Sequence, residues 1–136
     1  MTGIAQQYEI EFASLAENII EVEQFVDGLK DKLQISDNLY GNLLISLTEA
    51  VNNAIIHGNG LDAKKKVKVL CKRENNVISF NITDEGNGFD YNNLPDPTDP
   101  NNIEKLTGRG VFLMKQLSDQ LIFSNDGSQV ELQFKC

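Results

Sequence analysis

Residues 49–58 read Glu-Ala-Val-Asn-Asn-Ala-Ile-Ile-His-Gly, and the predictions of both the fold and the site start from this stretch. They close a predicted helix that begins at Ser36 and runs to about His57, where Gly58 ends it. One broad apolar face of this helix is expected to pack on a sheet. Beside that face runs a polar row at spacings of three and four: Asn42, Ser46, Glu49, Asn53 and His57. Apolar residues also flank the far side of the row, so the row is expected to line a site.

Two members of the row have chemistry suited to a metal and phosphate site. The carbonyl oxygen of Asn53 is a neutral hard ligand for Mg²⁺, which takes few protein ligands beside phosphate oxygens. The Glu49 carboxylate can accept a proton from an attacking hydroxyl. Taken alone, the pair is also compatible with a partly exposed helix edge that it merely solvates, and His57 with a structural helix end.

The remaining periodicities predict an α+β domain spanning residues 1–136. A strand at 7–12 precedes a helix at 15–33, for which Ser14 is the expected cap with Glu17 as its partner. Strands at 67–72 and 77–82 form a hairpin, a third helix starts near Gly110, and strands at 121–124 and 129–134 form a closing hairpin. The predicted architecture is a two-layer α/β sandwich, with helices on one face of a mixed, mostly antiparallel sheet.

Charge and composition narrow the range of partners. The chain has 136 residues with 12 Lys+Arg against 20 Asp+Glu, a formal net charge of −8. This surplus of acid argues against general binding of nucleic acid or an anionic membrane, because both require basic side chains. No apolar stretch approaches the roughly 20 residues of a membrane span, and the N-terminus does not read as a secretory signal, so the protein is expected in the cytoplasm. Any anionic ligand must be held locally.

Two glycine-containing segments offer such local binding. Residues 84–88, Asp-Glu-Gly-Asn-Gly, follow a predicted strand, and Asp84 can accept a hydrogen bond from a purine amino group. A hairpin turn is the alternative, but no returning strand follows. Residues 107–110, Thr-Gly-Arg-Gly, precede the third helix, whose amides and dipole favour an anion, although a plain loop-to-helix turn has the same residues. Neither segment completes a P-loop or a dinucleotide fingerprint.

In this order, residues 49–58, 84–88 and 108–110 resemble the N, G1 and G2 boxes of the Bergerat fold of histidine kinase-like ATPases. The wording of the first box is most similar to that of anti-sigma factor serine/threonine kinases. The resemblance implies ATP, ADP and Mg²⁺ as cofactors, with Asn53 as the metal ligand and Glu49 as the general base. It implies a nucleotide lid at about 91–107. The other implied nucleotide contacts are Asp84 on the adenine amino group, Gly86 and Gly88 beside the purine, Gly108 and Gly110 on the phosphates, Lys105 and Arg109 as phosphate contacts, and His57 and Thr107.

The same resemblance implies the partners. A protein of this family sequesters a sigma factor and phosphorylates a serine of a small anti-anti-sigma (STAS-type) antagonist, commonly as a homodimer, without binding nucleic acid or membrane. A non-catalytic module that binds ATP or ADP and sequesters a partner is the alternative function.

Overall fold

The computed structural model describes residues 6–86, 106–124 and 128–136, with the backbone alone at 106–109. Its helices and strands follow the predicted order. They are β1 (Gln6–Ala13), α1 (Ile19–Lys32), α2 (Asp37–Asn53), β2 (Lys66–Glu74), β3 (Val77–Thr83), α3 (Leu106–Leu117), β4 (Gln120–Ser124) and β5 (Gln129–Lys135).

The strands form one five-stranded sheet in the order β1-β2-β3-β5-β4. The predicted α+β fold is confirmed, and every strand pair among the described residues is antiparallel. Residues along β3 alternate between the two faces of the sheet, as the period of two requires. Ile78, Phe80 and Ile82 are buried under the helices, whereas Ser79 and Asn81 line a broad polar concavity on the open face.

The helices cover the other face of the sheet, with α2 in contact with both α1 and α3. Leu43, Leu47 and Val51 of α2 are fully buried. Burying a side chain of this size contributes about 1.5–3 kcal/mol relative to exposing it, so these three residues hold α2 firmly on the sheet. None of the helices in the described ranges is long and apolar enough to cross a membrane.

The predicted helix starts are confirmed in one case and wrong in two. Ser36 caps α2, because its Oγ accepts a hydrogen bond from the backbone N–H of Leu39 at 3.3 Å. Ser14 does not cap α1: its hydroxyl donates to the carbonyl oxygen of Lys65 at 2.7 Å, and a short 3₁₀ turn at Ala16–Asn18 leads into the helix. A long-range partner on the loop before β2 therefore takes the hydroxyl that a local cap would use.

The third helix begins at Leu106, four residues earlier than Gly110. The two glycines of residues 107–110 disfavour helix by intrinsic propensity, but packing against α2 outweighs that preference. The residues that the sequence places before the helix therefore form its first turns.

A buried asparagine beyond the end of α2 ties three segments together. Asn59 is only 3% exposed. Its Nδ2 donates to the Ser14 Oγ at 2.6 Å and to the Lys66 carbonyl oxygen at 3.0 Å, while its Oδ1 accepts from the Glu85 N–H at 2.8 Å. The Glu85 side chain in turn accepts a hydrogen bond from the Lys66 N–H at 2.9 Å. The end of β1, the start of β2 and the segment after β3 thus share one polar hub.

Replacing Asn59 by Ala is expected to lower the free energy of unfolding by about 1–3 kcal/mol, because partners of its amide lose their hydrogen bonds in a buried site. Urea unfolding followed by circular dichroism measures this loss. The matched variant Asn38→Ala changes an exposed asparagine on α2 and is expected to stay within about 0.5 kcal/mol of the unchanged protein. Equal effects of the two variants would contradict a structural role for the hub.

Candidate functional site

Asn53 and Asp84, which are far apart along the chain, line the same pocket. The helix side of this pocket comes from α2 and α3, and its floor comes from the sheet. Its lining is Ala50, Asn53, Ala54, Ile82, Asp84, Met114, Phe123, Ser128 and Val130. Among these described lining residues most are apolar and three are polar, the composition usual for a small-molecule site that fixes orientation through a few polar groups.

The Asn53 side chain is buried, at 7% exposure, and its amide nitrogen has no hydrogen-bond partner among the described residues. The Ser46 hydroxyl, two turns earlier on the same row, shares both properties. A buried donor without an acceptor costs about 1–3 kcal/mol. Such a donor beside a pocket is suited to an acceptor oxygen brought by a ligand, and the carbonyl oxygen of the same Asn53 side chain can face a cation.

Asp84 supplies a buried carboxylate at the end of β3. Its Oδ1 accepts a hydrogen bond from the Gly86 N–H at 2.9 Å, and the side chain is 8% exposed. Burial raises the pKa of Asp84, and the Gly86 N–H and the charge of Lys65 oppose that rise. When ionised, the carboxylate has further lone pairs that can accept a hydrogen bond from a ligand amino group.

Two glycines allow the end of α2 to touch the segment after β3. Beyond Asn53 the helix widens into a π-helical turn at Ala54–Gly58, a distortion that often occurs at functional sites. A methyl group added to Gly58 would lie 2.2 Å from the Asp84 Oδ2, and one added to Gly86 would lie 1.5 Å from the Gly58 carbonyl oxygen. A side chain at Gly86 would push the two backbone segments apart, and one at Gly58 would displace the Asp84 carboxylate.

The second glycine-containing segment, residues 107–110, approaches α2 through Gly110. A methyl group on Gly110 would lie 2.7 Å from the Glu49 Oε2 and 3.7 Å from the Asn53 Nδ2. Glu49 is half-buried, and burial raises the pKa of its carboxyl group. The rise moves Glu49 toward the pH range in which a general base is most effective.

The structure therefore brings together one or more residues from each of the three predicted segments. Their individual roles toward a nucleotide stay predictions. His57 is exposed and lies outside the lining of the pocket. The described part of the chain holds no group of three or more acidic, histidine or cysteine side chains arranged for a metal.

Several predicted nucleotide contacts lie wholly or partly outside the described residues. Gly88, Lys105 and most of the predicted lid lie outside the described residues. Thr107, Gly108 and Arg109 belong to the first turn of α3, and the first four N–H groups of a helix lack intrahelical partners. Their contacts with phosphate stay predictions.

Other residues of the site have no distinctive signal in the sequence. Asn59 stands between two glycines and reads as part of a turn, while Met114 and Phe123 read as ordinary core residues of a helix and a strand. Met114 and Phe123 line the pocket because α3 packs against α2 and β4 pairs with β5.

The chain is similar to known proteins of one family. A family model described as a histidine kinase-like ATPase domain matches residues 12–134. An anti-sigma F factor from Lysinibacillus sphaericus is 31% identical over 112 residues, covering 81% of this chain and 77% of that protein. The serine-protein kinase RsbW of Bacillus cereus (strain AH820) is 23% identical over 136 residues, covering 96% of this chain and 84% of that protein.

A solved structure agrees with the fold. The crystal structure of the RsbU and RsbW domains of Rv1364c from Mycobacterium tuberculosis superposes with a TM-score of 0.68 at 13% identity. The match covers 96% of this chain, and the chain spans 32% of the longer one. At this identity the likeness concerns the fold alone.

Replacing Gly86 by Ala is expected to separate the segment after β3 from the end of α2, because the new methyl group would meet the Gly58 carbonyl oxygen. A clash with backbone in a packed site costs about 1–3 kcal/mol, and thermal or urea unfolding measures it. The control Gly28→Ala adds a methyl group to the exposed side of α1, where no atom lies within 4 Å, and should raise stability by up to about 1 kcal/mol. A Gly86→Ala protein as stable as the control would refute the contact.

Replacing Asp84 by Asn is expected to change how stability depends on pH. Because burial raises the pKa of Asp84, the folded chain holds its proton more tightly than the unfolded chain. The resulting stabilisation is complete below the ordinary pKa and is lost as the pH rises through the raised value. The free energy of unfolding of the unchanged protein should therefore fall, relative to that of Asp84→Asn, as the pH rises above the ordinary 3.8. Urea titrations at a series of pH values test this, and a difference that stays constant with pH would contradict it.

Proposed function

The chain belongs to the histidine kinase-like ATPase family, within its group of anti-sigma factor kinases, and on that premise we propose that it transfers the γ-phosphate of ATP to a serine of a protein partner. The observation that carries the proposal is the buried Asn53 amide, which has no hydrogen-bond partner among the described residues and lines a pocket with Asp84. Glu49 lies one helical turn before Asn53, and both side chains approach Gly110 of α3.

The pocket suits the adenine part of the ligand. Its apolar side chains would cover the faces of a purine, and the Asp84 carboxylate would accept a hydrogen bond from the exocyclic amino group. The closeness of Gly58 and Gly86 holds Asp84 at the rim of this pocket. Recognition of the adenine base would thus depend on the Asp84 carboxylate, whose position depends on Gly58 and Gly86.

The phosphate end would lie toward Glu49, Asn53 and the first turn of α3. The Asn53 carbonyl oxygen would hold Mg²⁺, which neutralises charge on the phosphate oxygens when it is bound. The backbone N–H groups at the start of α3 would donate hydrogen bonds to phosphate oxygens. Glu49 would accept the proton of the acceptor hydroxyl, and Gly110 leaves room for the carboxylate beside the helix.

We propose that the partners are a sigma factor, which the chain would sequester, and a small STAS-type anti-anti-sigma protein, which would be the phosphate acceptor. The relatives named anti-sigma F factor and serine-protein kinase RsbW support this assignment. The net charge of −8 favours a basic partner surface and speeds its encounter. Such partners would place the protein in the cytoplasm, and a homodimer is the proposed assembly.

The variant Glu49→Gln separates transfer from nucleotide binding. It keeps the shape of the side chain but cannot accept the proton, so the rate of γ-phosphate transfer should fall by about 10²–10⁴-fold, while the Kd for Mg-ATP measured by calorimetry should hold within about threefold. Transfer is followed with labelled ATP and a STAS-type protein captured on the immobilised chain, with phosphopeptide mapping of the serine.

The matched control Glu23→Gln changes an exposed carboxylate of α1 and should leave both quantities unchanged. A normal rate of phosphate transfer for Glu49→Gln would refute the role of Glu49 as general base. A well-folded protein that binds Mg-ATP and every captured partner without ever transferring phosphate would point to the sequestering module, and one that takes up no Mg-ATP would overturn the proposal.

A further inference from the structure

The helix that carries Glu49 is nearly free of charge. Glu49 is the only charged residue between Asn38 and Ile56. The neighbouring helix α1 is shorter, yet it carries six charged residues: Glu21, Glu23, Asp27, Lys30, Asp31 and Lys32. Depletion of charge, more than a high apolar content, distinguishes the core of a protein–protein interface from ordinary surface. The composition of α2 is therefore typical of a helix that a partner covers.

Two isoleucines on either side of Glu49 along the helix are exposed. Ile45 is 45% exposed and Ile56 is 43% exposed. Single exposed apolar residues are ordinary on a protein surface, so their position decides whether they matter. Ile45 and Glu49 are four residues apart and are therefore neighbours on the helix surface, while Ile56 lies about two turns beyond Glu49. The candidate base thus stands between two exposed apolar side chains.

The residues between the two isoleucines present short, uncharged side chains. Thr48 and Asn52 are both half-buried, and the Thr48 hydroxyl donates to the Ile45 carbonyl oxygen at 3.0 Å, so its hydrogen is used within the helix. We call Ile45, Thr48, Asn52 and Ile56 the α2 face. It is about 15 Å long, a distance that about five residues of an extended chain would span.

The position of Glu49 limits what can cover the α2 face during transfer. A general base must come within about 3 Å of the hydroxyl whose proton it accepts. An acceptor serine that reaches Glu49 places the residues before and after it against the α2 face. Apolar side chains there would gain free energy by covering Ile45 and Ile56, whereas charged side chains would lose water without meeting an opposite charge.

We infer that the α2 face is the docking surface for the acceptor segment of the protein substrate, and that this segment carries apolar side chains on both sides of its serine. The inference rests on the proposed function, since it takes Glu49 as the general base. Ile45 and Ile56 would then select the segment, and Glu49 would receive the proton of its hydroxyl. The described lining of the nucleotide pocket includes no residue of the α2 face, so acceptor and nucleotide recognition are separable by substitution.

The test measures phosphate transfer to the STAS-type protein whose phosphoserine has been mapped. The variants Ile45→Gln and Ile56→Gln add no charge beside Glu49. Each should raise KM for the acceptor protein by about fivefold, because the exposed part of the isoleucine no longer gains from apolar cover. The value of kcat should change by less than about twofold, as expected when an interaction contributes equally to the bound and transition states. The Kd of Mg-ATP, measured by calorimetry, should be unchanged.

The control is Ile20→Gln, which changes a 51% exposed isoleucine of α1 and should leave KM, kcat and Kd unchanged. A double-mutant cycle identifies the occupant of the α2 face. Apolar residues within about five positions of the mapped serine are replaced one at a time by Gln, and at least one replacement should reduce the effect of Ile45→Gln on KM to less than about twofold. Thermal unfolding of each variant identifies any loss of folding, and Ile45→Ala serves where Ile45→Gln is unfolded.

The outcomes separate the two proposals. Transfer with an unchanged KM in folded Ile45→Gln and Ile56→Gln would overturn the docking surface and leave the proposed function standing, and so would a mapped serine without apolar neighbours. A changed sedimentation coefficient of the chain alone would assign the α2 face to a second copy, and a changed Kd for Mg-ATP would assign it to the nucleotide. Either result overturns the inference. A folded, unchanged protein that transfers no phosphate would overturn the proposed function and this inference with it.

Discussion

The close approach of Gly58 and Gly86 is the constraint on which the rest of the site depends. A Cβ atom on Gly86 would lie 1.5 Å from the Gly58 carbonyl oxygen, a separation that no packed structure tolerates. Because neither residue carries a side chain, the π-helical turn after α2 and the end of β3 can meet backbone to backbone. Asp84 is thereby held against the end of the helix that carries Asn53, with which it lines one pocket, and Glu49 lies one turn earlier on that helix, beside Gly110.

Burial gives these polar groups their chemical character. An acidic chain with a net charge of −8 repels anions at its surface, so an anionic ligand must be held by local donors rather than by the overall field. The Asn53 amide, which has no hydrogen-bond partner among the described residues, and the start of α3 are the proposed donors of this kind. Burial raises the pKa of both Glu49 and Asp84, and the same desolvation strengthens hydrogen bonds made within the site.

Polar contacts outside the pocket hold the segments around it in place. Asn59 connects the end of β1, the start of β2 and the segment after β3 through hydrogen bonds of 2.6–3.0 Å. Ser14 takes part in this hub and does not cap α1. On the opposite side, Gly110 permits α3 to approach Glu49. The segment after β3 is thus held by the side-chain amide of Asn59 and by its close contact with Gly58.

Local patterns in the chain were sufficient for the elements and for the identity of the main polar groups. The apolar spacing on α2, the Ser36 cap and the two hairpins predicted the α+β fold, because each depends on neighbours within a few residues. The boundaries of α1 and α3 and the hub at Asn59 were beyond reach of such patterns. Each depends on a partner many residues away: Lys65 for Ser14, α2 for the glycines of α3, and Ser14 and Glu85 for Asn59. Contacts of this kind arise when distant segments are packed against one another, and a side chain that reads as ordinary core then becomes the wall of a site.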